Sequence, residues 1–250
     1  MSQASNPNSQ IWVERLFEAL TNGDRIQARL VVDAALRAET SAQDMLLNVY
    51  WPTHQLFEKL YRQDQMTKVS YHLGTRLLRS LVDQASGKLT LSPRNGQTIF
   101  AACGPSEGEE LAGQMAADLL EAAGFEVSFA GGGIPADEIM EQVQERRPDF
   151  LVMFASAASD LPGIRGIIDQ LREVNAVPNT KICVGGGVFA RAEGLAEEMG
   201  CELCARDPME IVELMTMPEV TQGDMGDLRI TTRQLKPAKA KAPNRMRNAA

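Results

Sequence analysis

Histidine is almost missing from this chain. Of 250 residues only His54 and His72 carry an imidazole, and none follows residue 72. Imidazole chemistry from any later segment is therefore excluded. Cysteine is scarce too, and four in a chain of this length make no disulfide framework. No run of about 18 apolar residues occurs, so no membrane span is expected. The opening Met-Ser-Gln-Ala-Ser-Asn-Pro-Asn lacks the basic-then-apolar order of a signal peptide. A cytoplasmic location is the expectation. Acidic residues are absent from Arg229 onward, where seven Lys and Arg stand. The net charge of −8 thus divides into −15 for residues 1–228 and a basic tail. An acidic body is a poor nucleic-acid binder, so such contact is expected only weakly, through the tail. The Pro, Ala and Lys content predicts disorder over 218–250. No helix-turn-helix pattern comes before the first helices.

What is present divides in two. Residues 10–87 read as a bundle of four to five helices. Trp12, Leu16 and Leu20 form one stripe. Asn22-Gly23 breaks the first helix and Asp24 caps the next. Ser41 caps a third, with Asp44 at the capping-box position. Pro52 suits the first turn of a further helix. In the last helix Val69, Leu73, Leu77 and Leu81 recur every four residues. From Thr98 the period changes. Strands are expected at 98–103, 125–130, 150–155, 181–184 and 201–205, alternating with helices over 97–217. This predicts an α/β fold: the bundle, then a five-stranded parallel sheet of flavodoxin or Rossmann type.

In such sheets ligands bind beyond the carboxyl ends of the strands. Gly104–Gly108, Gly131–Gly133 and Gly185–Gly187 fall there, and glycine lets backbone approach a ligand closely. His72 lies eleven residues after Tyr61 inside an apolar helix pattern. It reads either as a hydrogen-bonded core histidine or as a metal ligand. Read alone, His54 is a partly exposed helix residue. Cys201 and Cys204 have CxxC spacing, but residues three apart on a strand face opposite ways.

The combination of a helical bundle and a βα domain resembles the cobalamin-binding modules of methionine synthase, corrinoid methyltransferase proteins and light-sensing cobalamin-dependent regulators. Gly124-Phe125-Glu126-Val127, Pro148-Asp149-Phe150, Val184-Gly185-Gly186 and Gly200-Cys201-Glu202 carry the likeness. In the photoreceptor branch, Trp, nine residues and Glu-His place a His above cobalt. Here the same spacing gives Tyr61 and Tyr71-His72, which makes His72 the implied metal ligand. The family's lower-ligand motif, Asp-x-His-x-x-Gly, falls on Gly108-Glu109-Glu110-Leu111-Ala112-Gly113. Only Gly113 is kept, and Glu110 stands in the His position.

The resemblance implies a ligand-binding set of Tyr61, Tyr71, His72, Gly104, Gly108, Glu110, Gly113, Gly131, Gly132, Ser156, Gly185 and Gly186. Ser159 competes with Ser156, and either can be a turn residue instead. The implied cofactor is cobalamin, with heme, a bilin or an emptied pocket as alternatives. The implied role is a non-enzymatic sensor or regulator working through a partner protein. The alternative is a corrinoid carrier serving a methyltransferase. Self-association is left open by the sequence.

Overall fold

The computed structural model describes residues 7–104, 107–218 and 220. Of the segment expected to be disordered, 218–250, residues 218 and 220 are helical and Val220 is buried, because the last helix turn packs on the sheet layer; the basic part from residue 221 lies outside the described residues.

The N-terminal half is a cap of helices. α1 (Pro7–Thr21) buries Leu16 and Leu20. α2 (Arg25–Arg37) starts at Asp24, whose carboxylate accepts from Ile26 N at 3.0 Å and Gln27 N at 2.9 Å. Two donors that the first turn leaves orphaned are thereby satisfied. Ser41 caps α3 (Ala42–Met45) by accepting from Asp44 N at 3.0 Å, and its hydroxyl donates to Asp44 Oδ2 at 2.7 Å.

The sequence predicts a separate helix opening at Pro52. Instead Leu46–Tyr50 wind as a π-turn that runs straight into α4 (Trp51–Arg62). Trp51 N–H bonds five residues back, to Leu46 O. The wider turn accommodates a proline that has no N–H to give. α5 (Lys68–Ser86) begins at Thr67, which accepts from Ser70 N. It packs closely on α4 through Gly74, where a Cβ would overlap the Phe57 ring.

The second half is a parallel sheet in the order β2-β1-β3-β4-β5. Its strands are β1 (Thr98–Cys103), β2 (Glu126–Phe129), β3 (Phe150–Phe154), β4 (Lys181–Gly185) and β5 (Leu203–Ala205). Side chains alternate along β3. Phe150, Val152 and Phe154 face one layer, and Leu151, Met153 and Ala155 the other. The first layer holds α6 (Glu107–Ala122) and α11 (Pro208–Met215). The second holds α7 (Ala136–Arg146), α8 (Leu161–Val174), α9 (Gly187–Arg191) and α10 (Leu195–Glu198).

α6 joins the two halves. Ala116 and Leu120 pack on the sheet, while Leu111, Met115 and Leu119 pack into the cap. A helix clasped from both sides must be apolar over most of its circumference. Each of those three cap-facing side chains contributes roughly 1.5–3 kcal/mol by burial. Among the described residues no helix is long and apolar enough to cross a membrane.

Candidate functional site

The candidate site is the seam where the cap meets the strand tips. Two polar pairs set its register. Arg79 Nη2 lies 2.8 Å from Glu110 Oε2, and Gln114 Nε2 donates to Asp83 Oδ1. Both pairs are 31 residues apart in sequence, so α5 and α6 run side by side in the same direction. α6 descends from the strand tips. The first turns of α5 therefore project past them. His72 stands seven residues before Arg79, about 10 Å further out along α5 at about 1.5 Å per residue.

His72 is half-buried. Its ring meets the edge of Tyr71 at 5.8 Å, and Tyr71 stacks on Tyr61 at 4.3 Å with an interplanar angle of 19°. The Tyr71 hydroxyl donates to Glu58. Three sequence-predicted residues thus form one aromatic cluster at the outer end of the cap. His72, Thr75, Arg76 and Arg79 share one face of α5 by their spacing. The last three line a cleft of about 420 Å³ with Arg25, Ser80, Glu110 and Leu111.

Glu110 is the pivot of the seam. One carboxylate oxygen pairs with Arg79. The other lies against the β2–α7 loop, where a Cβ on Gly131 would come within 2.8 Å of it. Gly131 also has φ +79°, which favours glycine. Gly108 lies in the first turn of α6. Gly113, one turn below Glu110, is covered: a Cβ there would overlap Cys103 Sγ and stand 3.0 Å from the Phe154 ring.

The other glycines serve close approaches within the chain. A Cβ on Gly132 would overlap the Gly104 carbonyl, and one on Gly186 would overlap that of Ala155. Gly185 backs onto Ala205 and Phe154. Only Gly133 of the first triplet faces open space, in a cleft that Gly104 also lines. The Ser156 carbonyl accepts from Arg191, and Ser159 lines that same cleft.

Two sequence expectations are corrected. His54 is only 2% exposed, beside Trp51, because the helix through the π-turn places it inward. Val69 and Leu73 are 69% and 48% exposed rather than core. A four-residue repeat drifts about 40° around the helix at each step. Leu77 and Leu81 are buried by this drift, and Val69 and Leu73 turn outward.

Sequence reasoning missed Arg79. Lysine and arginine on a cap helix read as solvated. Only the pairing with Glu110 gives Arg79 a function.

The donor chemistry suits a corrinoid gripped from the cap. His72 offers an imidazole on the cap side. Around the strand tips the described residues offer a carboxylate, Glu110, already paired with Arg79. A carboxylate is a hard donor, and Gly108 stands at the position of the Asp that would orient a lower imidazole.

Comparison with known proteins bears on the same two halves. Residues 97–212 match a family described as B12 binding domain, and residues 12–85 match a second family of that description. Dimethylamine corrinoid protein 1 of Methanosarcina acetivorans is 29% identical over 141 residues, 56% of this chain and 62% of that protein. The HTH-type transcriptional repressor CarH of Myxococcus xanthus is 24% identical over 203 residues, 79% of this chain and 65% of the repressor. The monomethylamine corrinoid protein of Methanosarcina barkeri shares the fold. Its TM-score is 0.70 at 15% identity, covering 82% of this chain and 97% of that one. Matched in its cap and in its sheet, the chain belongs to the B12-binding family of helical cap plus Rossmann-like domain, and its cofactor is cobalamin.

Proposed function

We propose that this chain is a cobalamin-dependent sensory or regulatory protein that acts through a partner protein. The observation that carries this reading is the state of Glu110. It stands where the family's lower imidazole is expected, yet it is turned to Arg79 of the cap. The sheet then contributes no imidazole, and an ion pair spans the seam beside the apolar contacts of Leu111, Met115 and Leu119.

When bound, cobalamin would supply a cobalt centre that exchanges ligands. His72 would hold that centre from the cap side. Tyr61 and Tyr71 would flank His72 there. Gly108, Gly131 and Ser156 would border the opposite face and the cofactor's tail, while Gly113, Gly132, Gly185 and Gly186 hold the strand-tip loops in place by their close approaches within the chain. A corrin ring with its side chains is larger than the seam cleft, so α5 must move from α6 to admit it. Separation of Arg79 from Glu110 changes the outer surface of the cap. That change is what a partner reads, driven by the ligand's differential affinity for open and closed seams.

A second reading is a corrinoid carrier in methyl transfer, favoured by the relatives named as dimethylamine corrinoid proteins. Incubation of the purified chain with methylcobalamin and a methyl acceptor separates the two. Binding without transfer is expected, whereas turnover favours the carrier. His72→Ala is expected to shift the absorption bands of the bound cofactor; an unchanged spectrum removes His72 from the metal.

A further inference from the structure

A second cleft lies at the strand tips, on the sheet face opposite α6 and the cap. It has a volume of about 380 Å³ and opens between α7 and α8, beyond the ends of β1 and β3. The chain passes from β1 outward to β2 and then back across to β3, so this is the switch point of the sheet. Switch points are where parallel sheets leave room for a ligand. The volume is within the range of small-molecule sites, about 300–1,000 Å³.

The walls are apolar. Ile134, Ile139, Met153, Ile164 and Ile167 supply most of them. Among the described residues one charged side chain lines the cleft, that of Asp160. It is 8% exposed, and its Oδ2 is buried with no hydrogen-bond partner among the described residues. Asp160 ends a short 3-10 turn (Ala158–Asp160) and runs into α8 with helical angles, φ −84° and ψ −19°, which is not the extended geometry from which a cap accepts the first-turn N–H groups. Here it makes no such bond. Burial of an acceptor without a donor is unfavourable, and more so for a carboxylate. The carboxylate thus has no local donor among the described residues, and Asp160 stands in the wall of the cleft.

We propose that this cleft is a second binding site, separate from the cobalamin seam, for a small apolar amine. The ammonium meets Asp160 and the hydrocarbon body fills the isoleucine-lined wall. A metal ion is disfavoured, because hard cations require several oxygen ligands and the described lining offers one carboxylate. An anion is repelled by it. A neutral donor satisfies Oδ2 but forgoes the charge-assisted bond, which is roughly twice as strong.

The test uses the full chain, with Ile and Met methyl groups labelled for NMR, before and after loading with cobalamin. Benzylamine, benzyl alcohol and benzoate are the probes. Benzylamine is expected to shift the Ile164, Ile167, Ile139 and Met153 signals saturably. Benzyl alcohol should bind at least tenfold more weakly, and benzoate should leave the signals in place. Asp160→Asn should erase the preference for amine over alcohol. Gly163→Val narrows the cleft where Gly163 faces open space and leaves the carboxylate intact; it should abolish the shifts. Equal binding of amine and alcohol, or no saturable shift, overturns the proposal. So does a preference that survives Asp160→Asn, or shifts that survive Gly163→Val. Shifts that vanish on cobalamin loading place the cleft inside the cofactor's own seat and overturn it as well. Failure of cobalamin to bind at all would count against the sensor reading and leave the amine result standing by itself.

Discussion

Glycine 113 and glycine 166 both sit inside helices, and nothing in the sequence separates them. Gly166 faces open space on α8. Gly113 faces Cys103, Phe129 and Phe154, with the two rings 3.2 and 3.0 Å from a Cβ built there. Helix propensity favours alanine over glycine by about 1 kcal/mol. Gly166→Ala is therefore expected to stabilise the chain by up to that amount. Gly113→Ala gains the same propensity but forces an overpacked contact, which costs about 1–3 kcal/mol. Its net effect is expected to be destabilising. Urea midpoints of the two variants check this, and the same sign for both would sink the argument. The strand-tip glycines carry the same lesson. The triplets at 131–133 and 185–187 were legible as strand ends, and so was their small size. Which member approaches backbone and which faces a cleft was not, since that depends on loops far apart in sequence.

At the scale of elements, periodicity and caps gave most of the fold. β1 runs over the expected residues, and Asp24, Ser41 and Asp207 cap the helices they precede. The failures came where one signal was asked for too much. Pro52 marked a helical first turn but no break, because the π-turn before it absorbed the missing donor. The repeat on α5 marked a helix but mislocated its buried face. Between β4 and β5 the chain forms two short helices, α9 and α10, rather than one, parted at Gly194, which has φ +84°.

The contact of α5 with α6 also sets a pH dependence. Asp118, one turn beyond Gln114, is pushed up to about 6, chiefly by burial and then by the charges of Asp83 and Glu121. Its Oδ2 has no hydrogen-bond partner among the described residues. A carboxyl raised in the folded state favours folding in its protonated form. That advantage is complete below the ordinary carboxyl range near 4 and is lost as pH rises through about 6. Asp118→Asn should therefore leave stability unchanged at pH 3.5. By pH 7 it should add about 1–2 kcal/mol, a figure reduced for partial solvent screening. Denaturant melts at both pH values measure the difference. A variant equally stabilised at both removes Asp118 from this role.

For the whole molecule, alternation of strands and helices predicts the parallel sheet, and the glycine-ended strands predict where a ligand sits. The seam was beyond that reading. No local pattern records that α5 lies along α6, or that Arg79 reaches a residue 31 positions away. The seam is nonetheless where the halves must part for a cofactor to enter. The Arg79–Glu110 pair is about one-third exposed on each side, and pairs of that kind are worth about 0.2–1 kcal/mol. An interaction that exists only in the closed seam opposes ligand entry by its own free energy. Glu110→Gln removes it and keeps the side chain's size. Hydroxocobalamin is then expected to bind about 1.5- to 5-fold more tightly, the same free energy read as an affinity ratio. The ligand-free chain should unfold slightly earlier, since the closed seam has lost a contact. A tenfold loss of affinity would mean that the carboxylate touches the cofactor, and Glu110 would then belong to the binding surface rather than to the latch.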